Sequence, residues 1–418
     1  MKLKDIPEGW QLVRLGDKKI AEIRGNKTIN GFDNIAFIPM DFIPDSGLFV
    51  KYDIRKLKDI KSFTYCESGD LLLAKITPSL ENGKQGIVPD DIPNGFALAT
   101  TEVFPIVCKG IDKFFLFYIL KFPKFRKILE YSMSGTTGRQ RVPKKAVQNL
   151  LIPIPPLPEQ RKIAEILSTV DNAIQKVSAA IARTERLKKG LMQRLLTKGI
   201  DHKRFKFSKE LGCEIPEEWE VVRLGEVADI KGGKRLPKGH KLVDYKTPYP
   251  YIRVSDFENL SINTDNIKYL LSKTYKIIKN YTISSEDVYI SIAGTIGLVG
   301  LIPKELDGAN LTENAAKLTN LKRVKKEFLA YILSFNSVQE QINRLRGKGT
   351  QPKLALFRIK TIKIPLPPLH EQQKIAEILS TVDKKLELEK ERKEKLERIK
   401  NGLMNDLLTG RRRVKVEV

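Results

Sequence analysis

A run of ten residues, Lys-Ile-Ala-Glu-Ile-Leu-Ser-Thr-Val-Asp, occurs twice in this chain. It stands at Lys162–Asp171 and again, letter for letter, at Lys374–Asp383. The offset is 374 − 162 = 212, about half of the 418 residues. Identity of that length at that separation means two copies of a whole unit, and a repeat governs every later reading of the fold. The flanks agree. Ile152-Pro-Ile-Pro-Pro-Leu-Pro-Glu-Gln160 precedes the first copy and Lys363-Ile-Pro-Leu-Pro-Pro-Leu-His-Glu-Gln372 the second. Gly190-Leu-Met192 and Leu195-Leu-Thr197 follow the first, matching Gly402-Leu-Met404 and Leu407-Leu-Thr409. Ile6-Pro-Glu-Gly-Trp10 likewise matches Ile215-Pro-Glu-Glu-Trp219. Each half reads as a Trp-bearing start, a divergent region, a Pro-rich elbow and the shared segment.

The shared segment reads as a long amphipathic helix. Apolar residues fall at Ile163, Leu167, Val170, Ile174, Val177, Ile181, Leu187, Leu191 and Leu195 in the first copy. In the second they fall at Ile375, Leu379, Val382, Leu386, Leu396, Ile399, Leu403 and Leu407, with Glu389 and Lys393 in mid-seam. Steps of mostly four and three define a coiled-coil seam. Pro158 and the Pro365–Pro368 run mark where helix has not yet begun. About 40 residues give roughly 60 Å of helix. Three pairings fit: ordinary core helices, a coil between two chains, or an antiparallel coil within one chain. The last closes the chain on itself and is favoured, with a pseudo-twofold axis through the coil.

The divergent regions are α+β. Strands are expected at Val50–Ile54, Asp70–Ile76, Tyr251–Val254, Val288–Ile292 and Leu298–Ile302, and a helix over Phe114–Leu129. Phe115, Tyr118, Ile119 and Leu120 correspond to Phe328, Tyr331, Ile332 and Leu333 and are assigned to cores. Lys198–Glu214 reads as a charged connector. The expected segmentation is a first domain at 1–155, a first long helix at 156–200, connector and second domain at 201–367, and a second long helix with a basic tail at 368–418. The fold class is α+β: two α+β domains joined by two long helices as an intramolecular antiparallel coiled coil.

Seventy-five Lys+Arg against 50 Asp+Glu give a formal net charge of +25. Such an excess suits a polyanion, above all nucleic acid. Ribosomal or membrane-surface contact produces the same balance. No stretch reads as a secretory signal or as an apolar run of about 18 residues, so no membrane is expected. Three scattered cysteines make neither a disulfide framework nor zinc spacing, and a reducing, cytoplasmic location fits. The Lys/Ile/Glu-rich, Cys/Met-poor composition is in keeping with a thermophile.

The two regions share a frame and differ in their polar loops. Asp70-Leu-Leu-Leu-Ala-Lys-Ile-Thr77 stands against Asp287-Val-Tyr-Ile-Ser-Ile-Ala-Gly294, and Gly135-Thr-Thr-Gly-Arg-Gln-Arg141 against Gly347-Lys-Gly-Thr-Gln-Pro-Lys353. This is a pattern for two readers of two different words. Reading DNA needs Arg or Lys for guanine, Asn or Gln for adenine, and many phosphate contacts. Candidates in the first region are Lys75, Thr77, Lys84, Gln85, Thr100, Thr101, Arg139, Gln140 and Arg141. Those in the second are Lys234, Arg235, Arg253, Ser255, Ser291, Thr295, Thr312, Asn314, Lys348, Gln351 and Lys353. Each is equally readable as a solvated surface residue. The Arg139–Arg141 and Lys348–Lys353 loops rank first, because both join cations to an amide just before the elbow.

Taken together, the Trp-bearing starts, the Ile-Pro-x-Pro-Pro-Leu-x-Glu-Gln elbow and the duplicated Ile-Ala-x-Ile-Leu-Ser-x-Val-Asp helix resemble the specificity subunits of Type I restriction–modification systems over the full length. The resemblance implies that each variable region is a target-recognition domain for half of a bipartite site in double-stranded DNA. It implies that the repeated helices are spacer and docking surface for two methyltransferase subunits, joined by restriction subunits in the full complex. No cofactor is expected on this chain; S-adenosylmethionine, ATP and Mg would belong to the partners. Inverted half-sites about 10 base pairs apart follow from a pseudo-twofold pair of readers meeting one face of the duplex.

No catalytic constellation is visible. His202, His240 and His370 lack ligand spacing and read as surface residues. The Pro-Pro pairs have no preceding Asn or Asp, and no phosphate-loop motif exists. The chain is therefore read as non-catalytic. Two rivals stand beside this reading: a methyltransferase in its own right, and a two-headed coiled-coil protein that links DNA without sequence preference.

Overall fold

The computed structural model describes residues 6–136, 138–347 and 352–415. The chain forms two compact units, Met1–Ala180 with Glu389–Val418, and Ile181–Leu388. This division cuts across the segmentation read from sequence, because each unit takes half of each long helix.

In the first unit the strands are β1 (Gln11–Arg14), β2 (Ala21–Ile23), β3 (Asn34–Ile38), β4 (Asp53–Lys56), β5 (Thr64–Glu67), β6 (Leu71–Ala74), β7 (Gln85–Ile87), β8 (Phe96–Ala99), β9 (Val103–Cys108) and β10 (Leu151–Ile154). Helices α1 (Lys113–Lys121), α2 (Pro123–Tyr131) and α3 (Lys144–Gln148) precede β10, and α4 (Leu157–Lys198) follows it. Two four-stranded sheets form, β2-β9-β6-β7 and β4-β3-β8-β5. The first is antiparallel throughout; in the second, β3 and β8 run parallel. The all-apolar β6 has a physical reason. Leu71 and Leu73 pack into the core shared with the helices, and Leu72 into the core shared with the other sheet. Successive side chains point to opposite faces, so a strand covered on both sides must be apolar at every position.

The second unit repeats the plan. It contains β11 (Phe205–Ser208), β12 (Cys213–Pro216), β13 (Glu220–Arg223), α5 (Leu224–Val227), β14 (Asp229–Gly232), β15 (Pro250–Ile252), β16 (Phe257–Glu258), β17 (Ser261–Ile262), β18 (Lys268–Tyr269), α6 (Ser272–Ile278) and β19 (Thr282–Ile283). Then come β20 (Val288–Ser291), β21 (Val299–Leu301), β22 (Ala309–Leu311), β23 (Ala315–Thr319), α7 (Lys326–Ser334), α8 (Asn336–Leu345), α9 (Leu356–Ile359), β24 (Lys363–Leu366) and α10 (Leu369–Leu407). Its sheets are β14-β23-β20-β21 and β18-β15-β22-β19, with β15 and β22 parallel. In β20, Val288 and Ile290 join the helix-side core while Tyr289 joins the other.

Several elements depart from the sequence expectations. The helix foreseen over Phe114–Leu129 is two helices, broken at Phe122. Pro123 lacks the N–H and fixes its own φ, so it starts a new helix instead of continuing one. Asp112 caps α1 by accepting from the amides of Phe114 and Phe115. The strand expected at Val50–Ile54 runs Asp53–Lys56. The charged connector holds a hairpin, β11 paired with β12. Helix α4 already includes Pro158, since a proline in the first turn forfeits no intrahelical bond.

The long helices pair antiparallel within each unit. In the first, Ile163 and Leu167 of α4 share a core with Met404, Leu407 and Leu408 at the far end of α10. In the second, Leu195 and Leu196 of α4 share a core with Ile375 and Leu379 of α10. The seam is not quite the one expected. Leu187 and Ile399 are exposed. The inner places go to Lys188 and Lys400, whose ammonium groups lie 2.5 Å from Asp383 and Asp171 respectively. The step from Ile181 to Leu187 is six, which fits no helical face. Thr184 and Lys188 restore the alternation of three and four, and Thr184 is buried. Mid-helix, Lys393 turns along α10 to Glu397 at 3.8 Å.

The elbows dock by their Glu-Gln pairs. Gln160 accepts from the Asp112 amide and donates to the Pro155 carbonyl; Gln372 accepts from the Lys325 amide and donates to the Pro367 carbonyl. Glu371 accepts from Trp219 Nε1 at 3.0 Å and the Ile200 amide at 2.9 Å, with His202 Nε2 at 2.9 Å. Glu159 holds Arg413, whose guanidinium lies over Trp10. His202 is thus a half-buried partner of the elbow, and His240, also half-buried, meets Thr274 at 2.7 Å. Only His370 of the three is exposed as expected.

Candidate nucleic-acid interface

Three separate segments of the first unit meet at one rim. β6 continues past Ala74 so that Ile76 bridges Arg141, while Ser134 bridges Arg141 from its other side. The Lys75 amide donates to the Glu102 carbonyl, the Val142 amide to Lys75, and the Thr77 amide to Gln140. This brings Lys75, Thr77, Thr100, Thr101, Gln140 and Arg141 together, with Arg139 exposed at the loop tip. Gly135 is required where the loop closes: its φ is +131°, and an added Cβ would lie 2.8 Å from the Arg139 carbonyl oxygen.

The second unit builds the same frame. Ala293 bridges Lys353, the Leu354 amide donates to Ile292, and the Ile292 amide to Asn314. The Thr100 amide donates to the Ile38 carbonyl and the Thr312 amide to Ile252. These bonds put Lys75 opposite Ile292, Thr100 opposite Thr312, Thr101 opposite Glu313, Glu102 opposite Asn314, and Arg141 opposite Lys353. The backbone is shared and the functional groups are exchanged. Lys234 and Arg235 arrive at this rim from the segment after β14, where the Lys234 amide bonds Leu311.

Charge on the rim is balanced in pairs. Arg141 donates through Nε and Nη2 to the two oxygens of Glu102 at 2.9 and 2.8 Å. That bond holds the Glu102 carboxyl below the usual carboxylate range. Lys75, half-buried with its ammonium 5.2 Å from the centre of the Phe104 ring, is pushed below the usual lysine value by burial. Arg235 donates through Nε to Glu313 at 2.8 Å, and the Thr312 hydroxyl donates to the other oxygen at 3.0 Å. Burial raises the Glu313 carboxyl, but these hydrogen bonds outweigh it and its pKa falls. Neither Glu102 nor Glu313 was among the sequence candidates, because a search for donors to DNA passes over carboxylates.

Other candidates are spent on the fold. Gln85 is fully buried; its amide donates to the Phe117 carbonyl at 2.7 Å and its oxygen accepts from Arg126. Ser291 is buried between the Thr295 carbonyl and the Leu298 amide. Arg253 binds Asp256 through Nε and Nη2 and the Asn266 carbonyl. Lys84 donates to the Met40 carbonyl, and Ser255 stands beside Asp256 at 3.3 Å. Gln85, Ser291 and Thr312 are therefore corrections: buried and hydrogen-bonded internally, they present nothing to a ligand. Thr77 donates to Glu81, and Thr295 and Asn314 stay on the rim. Lys348 and Gln351 lie outside the described residues.

Among the described residues no group of three or more His, Cys, Asp or Glu could hold a metal ion, and no helix is long and apolar enough to cross a membrane. The profile of the Type I restriction modification DNA specificity domain matches residues 7–183 and 216–398. The chain belongs to this family. It is 31% identical over 426 residues to the Type I restriction enzyme MjaVIII specificity subunit of Methanocaldococcus jannaschii, covering 98% of this chain and 94% of that one. It is 32% identical to the putative Type I restriction enzyme MjaX specificity subunit of the same organism, covering 98% and 95%. In fold it resembles the S subunit of a Type-I restriction-modification system from M. genitalium, with a TM-score of 0.60 at 17% identity over 97% of this chain and 98% of that one. The family's two matched stretches are the two copies of the repeat.

Proposed function

We propose that this chain is the non-catalytic DNA sequence-recognition subunit of a Type I restriction–modification complex. Each target-recognition domain reads one half of a bipartite site in double-stranded DNA. The observation that carries this reading is the pair of rims: equivalent backbone hydrogen bonds, different polar side chains. Lys75, Thr100, Thr101, Arg139, Gln140 and Arg141 are the first reader's candidates. Lys234, Arg235, Thr295, Asn314 and Lys353 are the second's. The net charge of +25 supplies the phosphate attraction that holds register.

The repeated helices set the half-site spacing and dock two adenine-methylating subunits, with restriction subunits added in the full complex. Apolar side chains exposed at equivalent places support the doubling. Leu157 and Leu369 are one such pair, Leu187 and Ile399 another. A surface that repeats takes the same partner twice. S-adenosylmethionine, ATP and Mg belong to those partners. Mapping methylated sites in cells carrying this chain and its methyltransferase partner tests the proposal. A bipartite motif is expected; methylation without sequence preference would refute it and favour a general DNA linker.

A further inference from the structure

The duplication separates fold from function without any homologue. Interactions that the fold requires recur at equivalent positions. Tyr118 bonds Asp171 and Tyr331 bonds Asp383; Lys400 and Lys188 pair with the same two carboxylates. Buried Asp70 accepts from the Glu67 amide as Asp287 does from Ser284, although their cations come from different strands, Arg24 after β2 and Lys317 in β23. The rim ion pairs break this rule. Glu102 stands where the second unit has Asn314, and Arg141 where it has Lys353. Glu313 stands where the first unit has Thr101. Each rim nonetheless has one arginine–carboxylate pair, built from non-equivalent positions. Rewiring alone does not mark a reader, since the cations of Asp70 and Asp287 also differ in origin but are mostly covered; a rewired pair whose arginine stays exposed, as at each rim, belongs to what distinguishes the two readers.

The geometry points to Glu102–Arg141 and Glu313–Arg235 as the base-reading pairs of the two domains, with the carboxylates as specificity residues; this rests on the DNA-recognition reading above. A guanidinium has five N–H donors. Glu102 occupies the Nε and Nη2 edge of Arg141. The Nη1/Nη2 edge remains, and that fork matches the O6 and N7 of guanine. Glu102 thus fixes the plane of a reading arginine, and its other lone pairs can accept from the N4 amino group of cytosine. The carboxylate has a second effect. Lys75 and Arg141 side by side would attract any phosphate; Glu102 cancels one of those charges and repels misplaced backbone. Arg235, exposed and held through Nε alone, is arranged alike by Glu313. Arg24 is the contrast: half-buried, it gives Nε and Nη2 to Asp70 and Nη1 to Glu67, and no fork is left for a ligand.

The test uses Glu102→Gln and Glu313→Gln in the full chain. Purified variants are titrated with random-sequence duplex across salt, and methylomes are mapped with the methyltransferase partner. Glu102→Gln should tighten binding to random duplex by about threefold at low salt, as expected for one repulsive charge removed. It should relax stringency about tenfold at one position of the first half-site. Glu313→Gln should do the same in the second half-site only, and Glu102→Asp should restore the parent pattern. Unchanged stringency at every position, relaxation of both half-sites by one variant, or weaker binding of Glu102→Gln to random duplex would each overturn the inference. A parent chain that itself yields no bipartite motif would instead overturn the recognition reading.

Discussion

The Tyr118 hydroxyl donates to Asp171 across 2.9 Å, tying α1 to α4 inside the first unit. Asp171 ends the first copy of the duplicated decapeptide, and Lys400 approaches its other oxygen. Burial and the neighbouring carboxylate push the Tyr118 hydroxyl well above the usual tyrosine value, so it stays a donor. Tyr331 and Asp383 repeat the arrangement at the same distance.

Removing either hydroxyl leaves a carboxylate short of a partner. Tyr118→Phe and Tyr331→Phe should each cost about 1–3 kcal/mol. Urea unfolding followed by fluorescence measures both. A loss in one unit and none in the other would show that the two copies of this bond are not equivalent.

Gln85 supports Arg126 from inside the first unit. Burial pushes the Arg126 guanidinium down to about 10, and it also donates to the Leu80 carbonyl at 3.1 Å. Gln85→Leu should destabilise by about 3 kcal/mol or more, because it strands a buried cation. The methylated motif should be unchanged in whatever protein remains folded. An altered motif with full stability would return Gln85 to the reading surface.

Lys121 should give the chain a stability gain at alkaline pH. It donates to the Asp45 and Gly83 carbonyls, and burial pushes its ammonium down to about 8, with Arg126 adding to the effect. An unfolded lysine titrates near about 10.4. Between these values the unfolded chain binds more protons, so this contribution grows as pH rises through the window and is absent below it. Urea midpoints of the parent relative to Lys121→Met, compared at about pH 7 and about pH 10, should show the parent gaining. A constant difference would place Lys121 in solvent.

Leu187 and Ile399 are exposed at equivalent places on α4 and α10. Leu187→Asp and Ile399→Asp should leave the isolated chain's stability within about 0.5 kcal/mol, as surface changes do. Each should weaken assembly with a methyltransferase subunit, the double variant more than either single one. Sedimentation of mixtures reports the stoichiometry. Undisturbed assembly in the double variant would move docking elsewhere.

Sequence alone determined the duplication, the two α+β domains and the long helices. These are carried by signals local to the chain: ten identical letters, a repeating step of three and four, and an apolar run such as Leu71-Leu-Leu-Ala74. It also marked Tyr118 and Tyr331 as core residues, though not their hydroxyl bonds to carboxylates over 50 residues away. Tertiary structure decided which polar residues face outward. Gln85 lies next to Lys84 in the chain, yet one is buried and the other half-exposed, since Gln85 opens β7, which is buried throughout, and Lys84 precedes it. It decided that Lys188 and Lys400, not Leu187 and Ile399, take inner places, because the carboxylates that receive them come from the opposite helix. And it joined Glu102 to Arg141, 39 residues further on, through a strand bridge that no local pattern encodes. A periodicity reports the face a residue occupies relative to its own neighbours; the partner across the gap is fixed only when distant segments pack.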